Sequence, residues 1–292
     1  MAVVGIIGVG NMGLGMALRL LDLGHAVRVR DIDPARERLA LSRGASVHAD
    51  AATVARGSDA LIVAVVDAAQ TRQVLLGNAG ALQGLARGTA VLLCPTIAPQ
   101  DVEELAAVLA RAGVDAIDAP MSGGPQRARD GSMSLMVACA EEAYARWRDL
   151  LADLSSRLFH VGTQPGAGAR TKLVNNLLAT INLAGAAEAL ALAQRVGLDP
   201  AATLAVIEAS SGQSWIGSER LRRALAGDPA VGAQVALLAK DSTLALELAR
   251  GARVDVPVGR AAQNLFAEAC AQGLARQDDS VLWRWLADRD SV

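Results

Sequence analysis

The feature that most constrains the fold is Gly8-Val9-Gly10-Asn11-Met12-Gly13, set between the apolar run Val3 to Ile7 and an amphipathic stretch from Met12 to Leu23. Three glycines in a G-x-G-x-x-G pattern at a strand-to-helix turn have separate tasks. Gly8 permits the tight turn, Gly10 lets backbone approach a pyrophosphate, and Gly13 lets the helix pack closely on the strand. The helix that follows offers unsatisfied N–H groups and the positive end of its dipole, which suit an anionic ligand. Gly8, Gly10, Asn11, Met12 and Gly13 are therefore candidates to hold a dinucleotide. A glycine turn that merely packs is the plainer alternative; the position at the first strand–helix junction argues against it.

The alternation continues beyond this turn. Val27 to Val29, Ala60 to Val65, Ala90 to Leu93 and Val114 to Ile117 are expected as buried strands, with further strands at Ser134 to Ala138 and Leu158 to Val161. Pro34 to Arg43, Ala68 to Leu75 and Pro99 to Ala112 are expected as helices between them. This pattern predicts an α/β chain whose first part is a Rossmann-type, doubly wound parallel sheet covered on both faces. Asp31 ends the second strand, 18 residues beyond Gly13, close to the ~20 expected of the carboxylate that binds an adenosine ribose. Its charge favours NAD by repelling a 2′-phosphate, although Arg30 and Arg36 lie near. A helix cap is the alternative role, and Asp33, just before Pro34, fits it better. Thr96, past the strand Ala90 to Leu93, is expected at the carboxyl edge of the sheet, where its hydroxyl would bond a nicotinamide ribose or cap a turn.

Gly162-Thr163-Gln164-Pro165-Gly166-Ala167-Gly168 breaks the pattern and sets a domain boundary: 1–163 for the dinucleotide-binding domain, 164–292 for a second, all-helical domain that begins with a long interdomain helix. Thr171 to Val196 would form that helix, about 40 Å long, ending at Gly197. It is too apolar all round for a surface helix, so a homodimer or homotetramer that shares it is expected. Further helices are expected at Ala201 to Ala209, Val235 to Arg250 and Gly259 to Ala271.

Composition narrows the functions. A net charge of −2 gives no bulk attraction to nucleic acid or anionic membranes, and 2% aromatic residues leave few stacking platforms. No uninterrupted apolar run of the roughly 18 to 20 residues that span a bilayer is evident, so neither nucleic acid nor membrane is expected as a partner. Met1-Ala2-Val3-Val4 enters a strand with no basic segment before it, which argues against a secretory signal. Cys94, Cys139 and Cys270 are scattered and odd in number, which suits reduced thiols in the cytoplasm. His25, His48 and His160 show no metal-ligand spacing, and no metal is expected.

Two stretches carry chemistry. Asp118-Ala119-Pro120-Met121-Ser122-Gly123-Gly124-Pro125 offers a hydroxyl and bare backbone N–H groups after a strand, the makings of a carboxylate nest, or simply a loop. Gly168-Ala169-Arg170-Thr171-Lys172-Leu173-Val174-Asn175-Asn176 opens the long helix, with Lys172 and Asn176 stacked at i and i+4. A lysine among Leu173, Val174, Leu177 and Leu178 is poorly solvated, which disfavours its charged form and suits proton transfer. Asn176 can hold a substrate oxygen without a competing charge. Taken alone, Lys172 would be an ordinary helix lysine and Lys240-Asp241 a solvated pair.

In this order the motifs resemble the 3-hydroxyisobutyrate dehydrogenase (β-hydroxyacid dehydrogenase) family over nearly the whole chain. Gly8 to Gly13 resembles its nucleotide loop, Asp118 to Gly124 with Gly131 its substrate loop, Gly166 to Asn176 its catalytic stretch and Lys240-Asp241 its late lysine motif. The resemblance implies Lys172 as general acid/base, with Asn176 and Ser122 completing the catalytic group. It implies that Ser122, Gly123 and Gly124 hold the substrate carboxylate, and that Thr96 and Lys240 touch the cofactor. Ser214-Trp215 resembles the segment that closes over substrate in members acting on serine-like or polyhydroxy acids; Trp215 as domain-interface core stays open. Asp31-Ile32-Asp33 stands where NADP-using members often carry Asn-Arg-Thr, which implies NAD.

Arg127 and Arg129 follow the paired glycines where many members have small residues, implying a more cationic pocket. The implied activity is hydride transfer between NAD and a small 3-hydroxy acid, of 3-hydroxyisobutyrate, serine, glycerate or threonate type. A 6-phosphogluconate dehydrogenase-like decarboxylase usually has His where Asn175 stands, and an imine reductase generally lacks the lysine at 172. A non-catalytic NAD-sensing module would have no use for Lys172, Asn176 and Ser122 together.

Overall fold

The computed structural model describes residues 1–228 and 230–289. It divides into two compact units, Met1–Lys172 and Leu173–Val292. In chain order the first holds β1 (Val3–Ile7), α1 (Asn11–Asp22), β2 (Ala26–Arg30), α2 (Pro34–Leu41), β3 (Ser46–Val47), α3 (Ala51–Ala55), β4 (Ala60–Val63) and α4 (Ala68–Leu76). Then come β5 (Ala90–Leu93), α5 (Pro99–Arg111), β6 (Asp115–Asp118), β7 (Met121–Ser122), α6 (Gly124–Asp130), β8 (Ser134–Ala138), α7 (Glu141–Leu154) and β9 (Arg157–Gly162).

The strands form one sheet in the order β3-β2-β1-β4-β5-β6-β8-β7, with β9 on β8. The six strands from β3 to β6 are parallel, so the sheet is of the Rossmann type. This is the architecture expected from the sequence, with one antiparallel element beyond the parallel strands. β8 runs antiparallel to both β6 and β7, because β7 folds straight back on β8 while α6 lies against α1.

Strand side chains alternate between faces, so each strand feeds two apolar layers. Val4 and Ile6 join Met16 and Leu20 of α1 in one layer. Ile7, Leu61, Val63, Val91 and Leu93 join Val54 of α3, Leu75 of α4 and Leu105 of α5 in the other. Side chains start several helices: Asp33, Asp50 and Asp67 each cap a helix by accepting a first-turn N–H. Asp33 rather than Asp31 is the cap before Pro34, as the sequence suggests.

A single 29-residue helix, α8 (Ala167–Arg195), begins in the first unit and continues into the second. The second unit adds α9 (Pro200–Glu208), α10 (Trp215–Leu225), α11 (Val235–Gly251), α12 (Pro257–Ala269) and α13 (Leu282–Asp288). Its core gathers Leu183, Leu190, Leu204, Leu221, Leu238, Phe266 and Trp283. Beside it Arg220 Nε donates to the buried Asp279 Oδ1 at 2.6 Å. By length and composition α8 could cross a membrane, and 44% of its most apolar stretch is buried. Its interior face, Leu183, Ala187 and Leu190, is the spine of the helical core, and such core helices carry the same composition.

Candidate active site

β1, β4, β5 and β6 end in register, with Ile7 beside Val63, Val63 beside Leu93 and Leu93 beside Asp118. Their carboxyl ends form one edge of the sheet, where ligands of such folds sit. The three glycines of the first turn differ there as their tasks require. Gly8 has φ +90°, and a Cβ on it would lie 2.6 Å from the Ala64 carbonyl oxygen. A Cβ on Gly13 would stand 1.8 Å from the Gly8 carbonyl oxygen, so only glycine lets α1 come this close. A Cβ on Gly10 would meet nothing within 4 Å among the described residues. Open space therefore lies over the first turn of α1, whose N-cap Gly10 makes no side-chain bond and whose first turn carries no acidic residue. Asn11 and Met12 occupy that turn, and a diphosphate fits it on both space and charge.

Asp31 follows β2. Its Oδ2 accepts the Val9 N–H at 2.6 Å and its Oδ1 the Asp33 N–H at 2.9 Å, so the carboxylate is anchored beside the glycine turn. Arg30 is tied to Glu37, whose Oε1 also accepts the Asp31 N–H at 3.0 Å. Burial pushes the Glu37 carboxyl up; the Asp31 N–H and Arg30 outweigh it and hold it below the usual carboxylate range. Arg36 donates to Asn11 Oδ1 at 3.2 Å. Both arginines that could have received a 2′-phosphate thus have protein partners. Thr96 is half-buried, three residues beyond β5 on the same edge.

The substrate-loop stretch is more structured than a loop. Met121–Ser122 pairs with β8, Ser122 opposite Ser134, and Gly124–Asp130 is helical with Ala128 buried. A Cβ on Gly15 would come within 3.0 Å of Ala128 and the Pro125 carbonyl, so Gly15 is what admits α6 onto α1. Gly123 and Gly124 take φ +136° and +79°, turning successive N–H groups in a way only glycine does readily. Arg129 does not enrich the pocket with charge as its position implied: it pairs with Asp22 of α1 at 2.5 Å. Arg127 lies against Gly123.

Asp118, the last residue of β6, is fully buried. Its Oδ2 accepts the N–H of Gly166 at 2.7 Å and of Ala169 at 3.0 Å, so a carboxylate from the sheet edge caps the first turn of α8. Burial pushes its carboxyl up to about 6, against the pull of the Ala169, Gly166 and Gly168 N–H groups and the Arg170 charge. Burial, and then the Asp118 charge, pushes the neighbouring Cys94 thiol up to about 12. Lys172 follows along α8 and is buried, with 8% exposure.

Asn176, one turn on, is buried too. Its Nδ2 donates to Asp241 Oδ2 at 2.6 Å, and Lys240 Nζ sits 2.7 Å from Asp241 Oδ1. The carboxylate of this pair on α11 is buried, at 7% exposure, and joins the partly exposed Lys240 to Asn176. Trp215 opens α10 and is 41% exposed, so it is not core. Sequence reasoning missed Asp118 as a cap, Asp241 as a bridge and Glu37 as the clamp on Arg30. Among the described residues no cluster of His, Cys, Asp and Glu suits a metal.

Comparison with known proteins bears on this arrangement. Residues 3–162 match the family of the NAD binding domain of 6-phosphogluconate dehydrogenase, and residues 166–286 match the NAD-binding domain of NADP-dependent 3-hydroxyisobutyrate dehydrogenase. The chain is 35% identical over 270 residues to 3-hydroxyisobutyrate dehydrogenase of Pseudomonas aeruginosa, covering 90% of each. It belongs to the 3-hydroxyisobutyrate dehydrogenase family. L-threonate dehydrogenase of Escherichia coli K12 is 35% identical over 280 residues, covering 96% of this chain and 93% of that protein. The crystal structure of 3-hydroxyisobutyrate dehydrogenase from Salmonella typhimurium superposes with a TM-score of 0.91 at 34% identity, over 98% of this chain and 100% of that one. This family member is thus an NAD(P)-dependent hydroxy acid dehydrogenase.

Proposed function

We propose that this dehydrogenase oxidises a small 3-hydroxy acid, of 3-hydroxyisobutyrate, serine, glycerate or threonate type, with NAD and with Lys172 as general acid/base. The observation that carries the reading is the burial of Lys172 and Asn176 on one face of a helix whose first turn Asp118 ties to the carboxyl edge of the sheet. The names of the relatives support the substrate class: threonate and 3-hydroxyisobutyrate are both small hydroxy acids.

The roles follow from chemistry. Gly8, Gly10, Asn11, Met12 and Gly13 would hold the diphosphate on the first turn of α1, and Asp31 the adenosine ribose. Thr96 and Lys240 would touch the nicotinamide half. When bound, the nicotinamide ring supplies the hydride acceptor. The Ser122 hydroxyl with the Gly123 and Gly124 N–H groups would receive the substrate carboxylate, and Asn176 would orient the hydroxyl. Neutral Lys172 Nζ takes the hydroxyl proton as the C–H bond breaks; in reverse its ammonium returns that proton to the alkoxide. Trp215, exposed at the start of α10, is offered as a further substrate contact.

NAD rather than NADP is supported by the anchored Asp31 and by the engagement of Arg30 and Arg36 elsewhere. A second copy of the chain is proposed to cover α8, where Val174, Leu178 and Leu192 are 58–64% exposed along the helix and Val196, just past its end, is 63% exposed. Three free cysteines support a reducing, cytoplasmic setting. The experiment is a panel of 3-hydroxyisobutyrate, serine, glycerate and threonate with NAD and NADP, followed by nicotinamide absorbance. Turnover of at least one acid is expected; no turnover of any would overturn the substrate class.

A further inference from the structure

Asp241 accepts from two donors, one at each oxygen. Asn176 Nδ2 donates to Oδ2 at 2.6 Å, and Lys240 Nζ to Oδ1 at 2.7 Å. Both Asp241 and Asn176 are buried, at 7% and 6% exposure, so neither group has ready water to replace a lost partner. An ionised carboxylate only accepts, whereas a carboxamide has one accepting and one donating end. The Asn176 amide is therefore held in one sense, with Nδ2 toward Asp241 and Oδ1 turned away. Reversing it would set two oxygens against each other in a buried place. Asn175 Nδ2 reaches Asn176 Oδ1 at 3.0 Å and agrees with that sense.

We propose that Asp241 is a positioning residue for the dehydrogenase reaction, locking the amide of Asn176 on α8 and the ammonium of Lys240 on α11 to opposite oxygens of one buried carboxylate. The proposal rests on the reading of Asn176 and Lys240 as substrate and cofactor groups. Its content is that the two are not set independently. The residue that aims the substrate amide also aims the cation assigned to the cofactor, so losing Asp241 disturbs both at once. Asparagine cannot replace it: with one oxygen and one NH2, it must turn a donor toward either Asn176 or Lys240.

The test compares Asp241→Asn, Asn176→Ala, and the exchange Asn176→Asp with Asp241→Asn, each by thermal midpoint, kcat and cofactor KM. Asp241→Asn is expected to lower kcat about tenfold or more and to raise cofactor KM, the scale of losing a charge-assisted hydrogen bond. The exchange restores an acceptor–donor pair across the same gap, with the acceptor now on α8. It should recover the thermal midpoint without recovering kcat, because position 176 then turns a charged carboxylate oxygen, in place of a neutral amide oxygen, toward the substrate. If the exchange recovers both, Asp241 is only structural and the proposal is overturned. If Asp241→Asn keeps wild-type kcat and KM while Asn176→Ala does not, positioning fails but the reading of Asn176 stands. Wild-type kcat in Asn176→Ala would bring down that reading itself.

Discussion

A Cβ on Gly168 would lie 2.9 Å from both Cγ and Oδ1 of Asp118, and 2.8 Å from the Met136 carbonyl oxygen. The missing side chain is what allows the first turn of α8 to descend onto the carboxylate that caps it. Gly168→Ala must therefore push the helix start away from the sheet edge, because the Met136 carbonyl is backbone and the Asp118 side chain is held by the Gly166 and Ala169 N–H groups. With Lys172 one turn along, kcat is expected to fall at least tenfold, the scale of a displacement near 1 Å in a positioned group. A Gly168→Ala enzyme of normal turnover would show that the tether does not set the lysine.

The same carboxyl makes stability depend on pH. Folded Asp118 keeps its proton up to about 6, whereas an ordinary aspartate in the unfolded chain releases it near 3.8. Between those values folding takes up a proton, so this group's contribution to stability declines as pH rises through the window and stays low above it. The full span corresponds to about 3 kcal/mol. Asp118→Asn keeps an acceptor for the Gly166 and Ala169 N–H groups and cannot ionise. Its urea midpoint should gain on the wild type between pH 4 and pH 7. A difference between the two proteins that is flat with pH would contradict this origin.

Much of this architecture is legible in sequence because its signals are local. β1, β5 and β8 lie where their apolar runs lie, and Gly8 and Gly13 sit in the tight turn and the close helix packing that their spacing predicts. β3 and β7 span two residues each and α3 five, too short to show a period. α6 hides behind two glycines, a proline and three charges that read as a loop. α7 is different: Ala143, Trp147, Leu150, Leu151 and Leu154 mark a helix face that the pattern does carry. The site divides along the same line. Lys172 and Asn176 share a helix and a motif, whereas Asp118 reaches Gly166 across 48 positions and Asp241 reaches Asn176 across 65. No spacing rule connects residues so far apart until the fold has brought them together.

The proposed cofactor choice rests on Asp31. Its carboxylate is fixed by the Val9 and Asp33 N–H groups, and there it would repel a 2′-phosphate while offering acceptors to ribose hydroxyls. The wild type is expected to show the higher kcat/KM with NAD, and Asp31→Asn to narrow the preference by about tenfold, as removal of one charge repulsion would. Higher kcat/KM with NADP in the wild type would defeat the argument.

The exposed stripe on α8 is a prediction about assembly. Leu192, 63% exposed, lies more than five turns beyond Lys172 on this helix, and Val196, equally exposed, lies just past its end. Leu192→Glu with Val196→Glu would place two charges in an apolar contact between copies. Light scattering at micromolar concentration should find the wild type at least dimeric and the double variant shifted toward monomer. A monomeric wild type would remove the partner proposed for this face.

Lys172 is the residue on which the proposed chemistry turns. Losing a positioned acid/base costs about 10²- to 10⁴-fold, so Lys172→Ala should lose at least a hundredfold in kcat. NAD affinity should stay near wild type, since the groups assigned to the dinucleotide, Gly8 to Gly13 and Asp31, lie elsewhere on the sheet edge. Lys172→Arg separates charge from proton transfer. A guanidinium keeps the positive charge but does not release a proton near neutral pH, so this variant should fail almost as badly as the alanine. Lys240→Ala supplies the contrast: it should raise cofactor KM more than it lowers kcat, marking a binding group rather than the proton carrier. The order of kcat across the three is therefore Lys240→Ala well above Lys172→Arg, with Lys172→Ala at or below the arginine. Near-normal turnover in Lys172→Arg would mean that position 172 contributes only charge, and that the hydroxyl proton leaves by another group.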